Sequence, residues 1–188
     1  MRIISGNFKG KKIFQPIDKN TRPLKDLTKE SIFNIIKHSN KLKLNFKNSN
    51  ILDLFSGVGS FGIECLSLGV KNVVFVENYH GVLPVLRKNL ISLKNINNFE
   101  IIEDDINNMN IFLSLKKNFD IIFLDPPYKS KNLENILINI HAKKILNKNG
   151  IIIIHRHKNE KDRFPGIFEI IEERKYGISK IMFLTHLN

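Results

Sequence analysis

The sequence predicts an α/β fold, a mostly parallel sheet with helices on both faces that closes on a terminal antiparallel hairpin. Three observations predict it. From Asn50 onward strand-like and helix-like stretches alternate. The strand-like ones are short, near-continuous apolar runs, as expected of strands buried on both faces. The last two are separated by only a short turn, which requires antiparallel pairing. The expected strands are Ile51–Phe55, Val73–Val76, Phe99–Glu103, Asp120–Leu124 and Ile151–Ile154, then Ile167–Glu173 and Ile178–Leu184 around Tyr176-Gly177. The expected helices are Ser60–Leu68, Tyr79–Leu93, Asn107–Lys117 and Leu133–Leu146.

Residues 1–49 read differently and are expected to form a basic extension ahead of the main domain, residues 50–188. Met1 to Phe14 has the pattern of a strand or hairpin, with Gly6 and Gly10 at turns. Leu27, Ile32, Phe33, Ile35 and Ile36 recur at helical spacing behind Asp26 or Thr28, either of which is a suitable N-cap. Lys41 to Asn50 is a polar connection. Of the formal net charge of +12, these 49 residues supply +9, from 12 Lys/Arg against three acids. A concentrated basic segment beside a near-neutral body is the electrostatic signature of a polyanion-binding surface.

Composition excludes several classes. With 188 residues, 42% of them hydrophobic, the chain is large enough for one substantial core. Its apolar runs are strand-sized, far below the roughly 20 residues of a membrane span, and MRIISGNFKG lacks the apolar stretch of a secretory signal. Cys65 is the single cysteine, so no internal disulfide forms, which fits a reducing cytoplasm.

Asp53-Leu54-Phe55-Ser56-Gly57-Val58-Gly59-Ser60-Phe61-Gly62 leaves the first core strand and opens a helix, and Glu77 ends the second strand 20 residues after Gly57. That spacing matches the dinucleotide fingerprint, with glycines for the sharp turn and a carboxylate for a ribose diol. NAD and S-adenosylmethionine share the ribose, so these features admit both. Two neighbours separate them. Asp53, just before the loop, would crowd a pyrophosphate but suits an ammonium. Asp104-Asp105-Ile106, after the third strand, offers a carboxylate and a backbone N–H to an adenine. A lesser reading of the two aspartates is that they start the next helix. The expected cofactor residues are therefore Asp53, Phe55, Gly57, Gly59, Glu77, Asp105 and Ile106, with S-adenosylmethionine as the ligand.

Asp125-Pro126-Pro127-Tyr128 ends the fourth strand at the sheet edge where open α/β folds bind ligands. Two prolines stiffen the backbone and remove two N–H donors, leaving an acceptor-rich rim. Such a rim suits an exocyclic amine, whose lone pair is freed as its N–H groups are accepted. Tyr128 offers a stacking face to an extruded base. These four are the expected catalytic residues.

With these blocks in place, the chain resembles the RsmD family, bacterial methyltransferases acting on guanine N2 of 16S ribosomal RNA. The similarity runs nearly end to end. It includes Met1 to Gly6 with Lys9-Gly10-Lys11-Lys12, Arg22-Pro23 with Asp26, Lys29-Glu30 and Phe33-Asn34, the glycine block, DIIFLDPPY and Tyr176-Gly177. The resemblance implies a Rossmann-like class I S-adenosylmethionine-dependent methyltransferase with a seven-stranded sheet, acting on 16S rRNA or the small subunit. It also implies RNA contacts at Arg2, Lys9, Lys11, Lys12 and Arg22. A cytoplasmic monomer, without a metal, is expected. Leu24, Leu27 and His155-Arg156-His157 depart from the family pattern, where Thr, a basic residue and Glu are usual. The two histidines lack a third ligand and read as solvated surface. Competing readings are a DNA adenine-N6 methyltransferase, for which no recognition insertion is visible, an NAD-dependent oxidoreductase, which leaves Asp125-Pro126-Pro127-Tyr128 unexplained, and a catalytically silent RNA-binding module.

Overall fold

The computed structural model describes residues 1–17, 24–42, 44–108, 110–127 and 130–187. In chain order the elements are α1 (Asp26–His38), β1 (Asn50–Leu54), α2 (Ser60–Ser67), β2 (Asn72–Val76), α3 (Leu83–Ser92), β3 (Phe99–Ile102), α4 (Ile111–Ser114), β4 (Phe119–Leu124), α5 (Leu133–Ala142), β5 (Leu146–His157), β6 (Phe168–Tyr176) and β7 (Ser179–His186). They form one seven-stranded sheet in the order β3-β2-β1-β4-β5-β7-β6. The first five in that order are parallel, while β7 runs antiparallel to both β5 and β6. The class predicted from sequence is the one observed.

The period of two along each strand sorts its side chains between two cores. Ile51, Val73, Phe75, Ile121, Phe123, Ile151 and Ile153 face α1, α2 and α3. Leu52, Leu54, Val74, Val76, Ile122, Leu124, Ile152 and Ile154 face α4 and α5. Both faces are dry, which is why these strands read as continuous apolar runs.

Element ends depart from expectation for local reasons. Neither Asp26 nor Thr28 caps α1; Lys25 holds the cap position without a side-chain bond, and Asp26 is the first helical residue. Helix α3 begins at Leu83 because Pro84, lacking an N–H, fits only the first turn. Helix α4 shrinks to four residues after Asn108 accepts the Asn110 N–H and sets a turn instead. The last predicted helix ends at Ala142, since Leu146 already pairs with Phe119 and starts a longer β5.

Residues 1–14 do form a hairpin: the Ile3 N–H donates to the Lys11 carbonyl (2.9 Å), and Arg2 bridges Lys12 antiparallel. Its inward residues, Ile3 and Ile13, share the core of α1, α2 and the sheet. Leu24, one of the departures from the family pattern, is buried in the same core, whereas Leu27 is exposed. An aromatic stack continues the contact from Phe33 on α1 through Phe61 on α2 (5.3 Å) to Phe123 on β4 (4.2 Å). Residues 1–49 and 50–188 therefore share one packed interior.

A buried ion pair locks the joint. Lys29 Nζ lies 3.2 Å from Glu64 Oε2, both side chains fully shielded, and also donates to the Arg2 carbonyl (2.6 Å). Glu64 in turn accepts the Ile4 and Ser5 N–H groups and the Ser5 hydroxyl. Lys29→Met strands that carboxylate and is expected to cost about 3–5 kcal/mol, read as a lower urea midpoint at unchanged slope. A shift of a few tenths of a kcal/mol would show the pair to be idle.

Candidate active site

The site follows from register. Leu54 pairs with Val76 on one side and Leu124 on the other, and Leu124 pairs with Ile154. One step beyond these pairs stand Glu77, Phe55 and Asp125, just past the ends of β2, β1 and β4, and His155, inside the longer β5, in a row along the carboxyl lip of the parallel strands.

Behind Phe55 comes the glycine loop. Gly57 and Gly59 have φ of 56° and 81°, and Phe55 itself sits at φ 60°, a conformation a bulky residue holds only when its surroundings enforce it. A Cβ on Gly59 would fall 2.5 Å from the Leu86 side chain, while the space beside Gly57 is open. Glu77 governs the loop from the next strand. Its Oε2 accepts the Gly57 N–H (2.7 Å), and its Oε1 accepts those of Asn78 (3.0 Å) and Tyr79 (2.9 Å). Asp53 lies deeper, buried, with Oδ2 accepting the Gly62 N–H at 2.9 Å. It braces the start of α2 from beneath the loop, so a ligand would meet it only through that loop.

Burial pushes the Asp53 carboxyl well above the usual carboxylate range, and the nearby charges of Asp125 and Glu77 push it further, against the Gly62 N–H. Three acids thus lie within electrostatic reach of one another around the glycine loop. The field suits an ammonium, a sulfonium or a hydroxyl-rich ribose and opposes a dinucleotide.

Further along, Asp104 and Asp105 precede a turn, not a helix. Asp105 Oδ1 accepts the backbone N–H (2.9 Å) and side-chain amide (2.8 Å) of Asn107, and Ile106 is buried beneath. On the other flank, Asp125 is half-buried, Pro126 buried and Pro127 exposed; Tyr128 lies outside the described residues.

One side chain here corrects the sequence reading. His155 reads from the sequence as solvated surface, yet it is 4% exposed, and Arg156 beside it is 1% exposed. His155 Nδ1 lies 2.8 Å from Asp125 Oδ1. Arg156 points to the opposite face and grips the segment after Asp125, donating to the Pro127 carbonyl (3.1 Å) and the Ser130 carbonyl (3.0 Å). Asp162 neutralises it, with an oxygen 2.9 Å away. β5 runs on past Ile154, where its pairing with β4 ends, and residues 155 and 156 flank the Asp125 loop. His157 is half-buried and accepts the Asn159 N–H (3.2 Å). Cys65, expected as a small core residue, is fully buried with its thiol pushed well up by desolvation, which suits packing and not nucleophilic chemistry.

The basic hairpin abuts this lip. Asn89 on α3 donates to the carbonyls of Phe14 (3.1 Å) and Val58 (3.0 Å), tying the hairpin's end to the glycine loop. Arg2, Lys9 and Lys12 are exposed. Lys11 is turned inward, donating to the Ser92 carbonyl and lying 5.8 Å over the Phe8 ring. Arg22 lies outside the described residues. Among the described residues no group of three or more His, Cys, Asp or Glu side chains is arranged to hold a metal, and no helix is long and apolar enough to cross a membrane.

Comparison with known proteins gives a consistent result. A family model described as conserved hypothetical protein 95 matches residues 1–185. Ribosomal RNA small subunit methyltransferase D of Buchnera aphidicola (strain APS) is 34% identical over 172 residues, covering 92% of this chain and 86% of that one. The protein of the same name from Haemophilus influenzae is 31% identical over 182 residues, covering 95% and 90%. A crystal structure of a protein described as a methylase from Haemophilus influenzae superposes with TM-score 0.78 at 27% identity, covering 100% and 99%. The rRNA methyltransferase aviRa of Streptomyces viridochromogenes shares the fold alone, with TM-score 0.70 at 12% identity over 90% and 87%.

Because folding raises the Asp53 pKa, the folded chain keeps that proton to a higher pH than the unfolded chain. The stability this contributes is complete below roughly pH 4, the ordinary carboxylate range, and is lost as pH rises toward the raised value. Asp53→Asn removes the dependence. Its melting temperature should gain on the wild type as pH rises above roughly 4, the ordinary carboxylate range, followed by thermal melts; parallel curves would contradict the assignment.

Proposed function

The chain belongs to the conserved hypothetical protein 95 family, the RsmD family, and from that premise we propose that it methylates the exocyclic N2 of a guanine in 16S ribosomal RNA. It is a ribosomal RNA methyltransferase dependent on S-adenosylmethionine. The observation that carries the reading is the convergence of Asp53, Glu77 and Asp125 at one lip of the sheet, beside a glycine loop with open space in front of Gly57. Acceptors of this kind fit a cationic methyl donor and an amine, and the site needs no metal for either.

When bound, S-adenosylmethionine supplies an activated methyl group whose leaving group departs neutral. The residues bind and align. Glu77 holds the ribose diol, the loop from Phe55 through Gly57 to Gly59 passes along the amino-acid tail with Asp53 bracing it, and Asp105 with the Ile106 N–H meets the adenine edge. Asp125 and the Pro126 carbonyl accept from the guanine amine and favour its pyramidal form, so the nitrogen lone pair points at the methyl carbon. Pro127 stiffens this rim and Tyr128 stacks on the base. A strong base is unnecessary, because the nitrogen sheds its proton only after the methyl bond forms. Alignment in a water-poor site supplies most of the acceleration.

RNA phosphates fall to the outward face of the hairpin, chiefly Arg2, Lys9 and Lys12, while residues 50–188 carry the cofactor and the chemistry; Lys11 is turned inward, and Arg22, implied by the family resemblance, lies outside the described residues. The hairpin is packed against the glycine loop, so a strand held there is delivered to the lip. The partner is 16S RNA or the small subunit, met by a monomer in the cytoplasm.

Small-subunit particles lacking the modification, incubated with tritiated donor and digested, should yield N2-methylguanosine. Label in N6-methyladenosine, or none, would refute the assignment. In the same assay Arg2→Ala/Lys9→Ala/Lys12→Ala should weaken RNA binding and lower the slope of log K against log salt by about 2. An unchanged slope would remove this face from the interface.

A further inference from the structure

We propose that His155 is a positioning residue for methyl transfer: it donates Nδ1–H to Asp125 Oδ1 and so leaves Oδ2 as the oxygen presented to the guanine amine. The inference rests on the reading of Asp125 as the amine's acceptor. Its own support is geometric. The Nδ1 to Oδ1 distance is 2.8 Å, and a carboxylate is an acceptor only, so the hydrogen of this bond must sit on Nδ1.

His155 is also unusually well fixed for such a task. It lies inside β5 and pairs with Ile181 of β7 on one side, while β4 runs in register with β5 up to Leu124–Ile154 on the other. Asp125 has no such anchor. It stands just beyond the end of β4, and its own N–H makes only a long 3.4 Å bond to the Leu54 carbonyl. A carboxylate on a loop rotates about its side-chain torsions, and each rotation moves both oxygens away from an incoming base. One bond from a strand-borne donor stops that rotation and decides which oxygen faces the substrate. The imidazole itself is 4% exposed, and its Nδ1 is turned to Asp125. It acts through Asp125.

Nitrogen-15 spectra of the histidine rings in the whole protein test the bond without any substitution. Nδ1 of His155 should carry a proton, and its signal should move in Asp125→Ala; an unprotonated Nδ1 overturns the proposal. Kinetics with small-subunit particles test the role. His155→Leu should lower kcat on the order of 10- to 100-fold while the KM for S-adenosylmethionine stays within about threefold, and His155→Asn, whose amide nitrogen takes the place of Nδ1, should restore most of the loss. A His155→Leu enzyme with wild-type kcat, alongside an inert Asp125→Ala, overturns the positioning role and leaves the acceptor role of Asp125 standing. Wild-type turnover in Asp125→Ala removes the acceptor reading and the inference with it.

Discussion

The parallel register of β2, β1, β4 and β5 is the constraint on which the rest of this molecule depends. Their parallel pairings end at one level, at Val76, Leu54, Leu124 and Ile154, so the residues one step on stand side by side. Glu77, Phe55, Asp125 and His155 meet for that reason, although 91 residues of sequence separate the end of β1 from the start of β5. A one-residue slip of any strand would turn its lip residue to the opposite face. Two dry cores resist such a slip, because each strand alternates its apolar side chains between them. Hydrophobic packing thus supplies the precision that the acceptor row needs.

The second structural theme is attachment of the basic segment. A charged N-terminal stretch could have been a loose arm, binding phosphate with no fixed relation to the chemistry. Here Ile3, Ile13, Leu24 and Phe33 enter the core, and the Lys29–Glu64 pair fastens the hairpin backbone to α2. Asn89 adds a link from Phe14 to the glycine loop itself. The outward side chains of the hairpin stay available for a polyanion, while their distance to the lip is set by rigid elements. Such an arrangement converts a salt-sensitive attraction into alignment.

What the sequence disclosed followed its strongest periodicities. The strands, the glycine loop, Glu77 and the Asp125 rim were readable because each lies on or just after an apolar run whose period is unmistakable. Helix ends were less readable, since Pro84, Asn108 and the early start of β5 act through single local contacts. His155 is misread for a deeper reason. A polar side chain near Lys158 looks solvated in one dimension, and it is buried because β5 runs on beyond β4, paired with β7 and lying against the Asp125 loop. Arg156 is buried because Asp162 and two loop carbonyls satisfy it, a set of partners scattered over 35 residues of chain that no local pattern announces.

In the proposed mechanism, methyl transfer is a matter of geometry between a donor and an amine across the Glu77 and Asp125 oxygens. The most direct measurement is a crystal structure with S-adenosylhomocysteine bound. The ribose hydroxyls should lie on Glu77, the tail along Gly57, and the sulfur should open toward Asp125 and Pro126. A ligand whose sulfur turns from that rim, or one seated away from Glu77, would contradict the account.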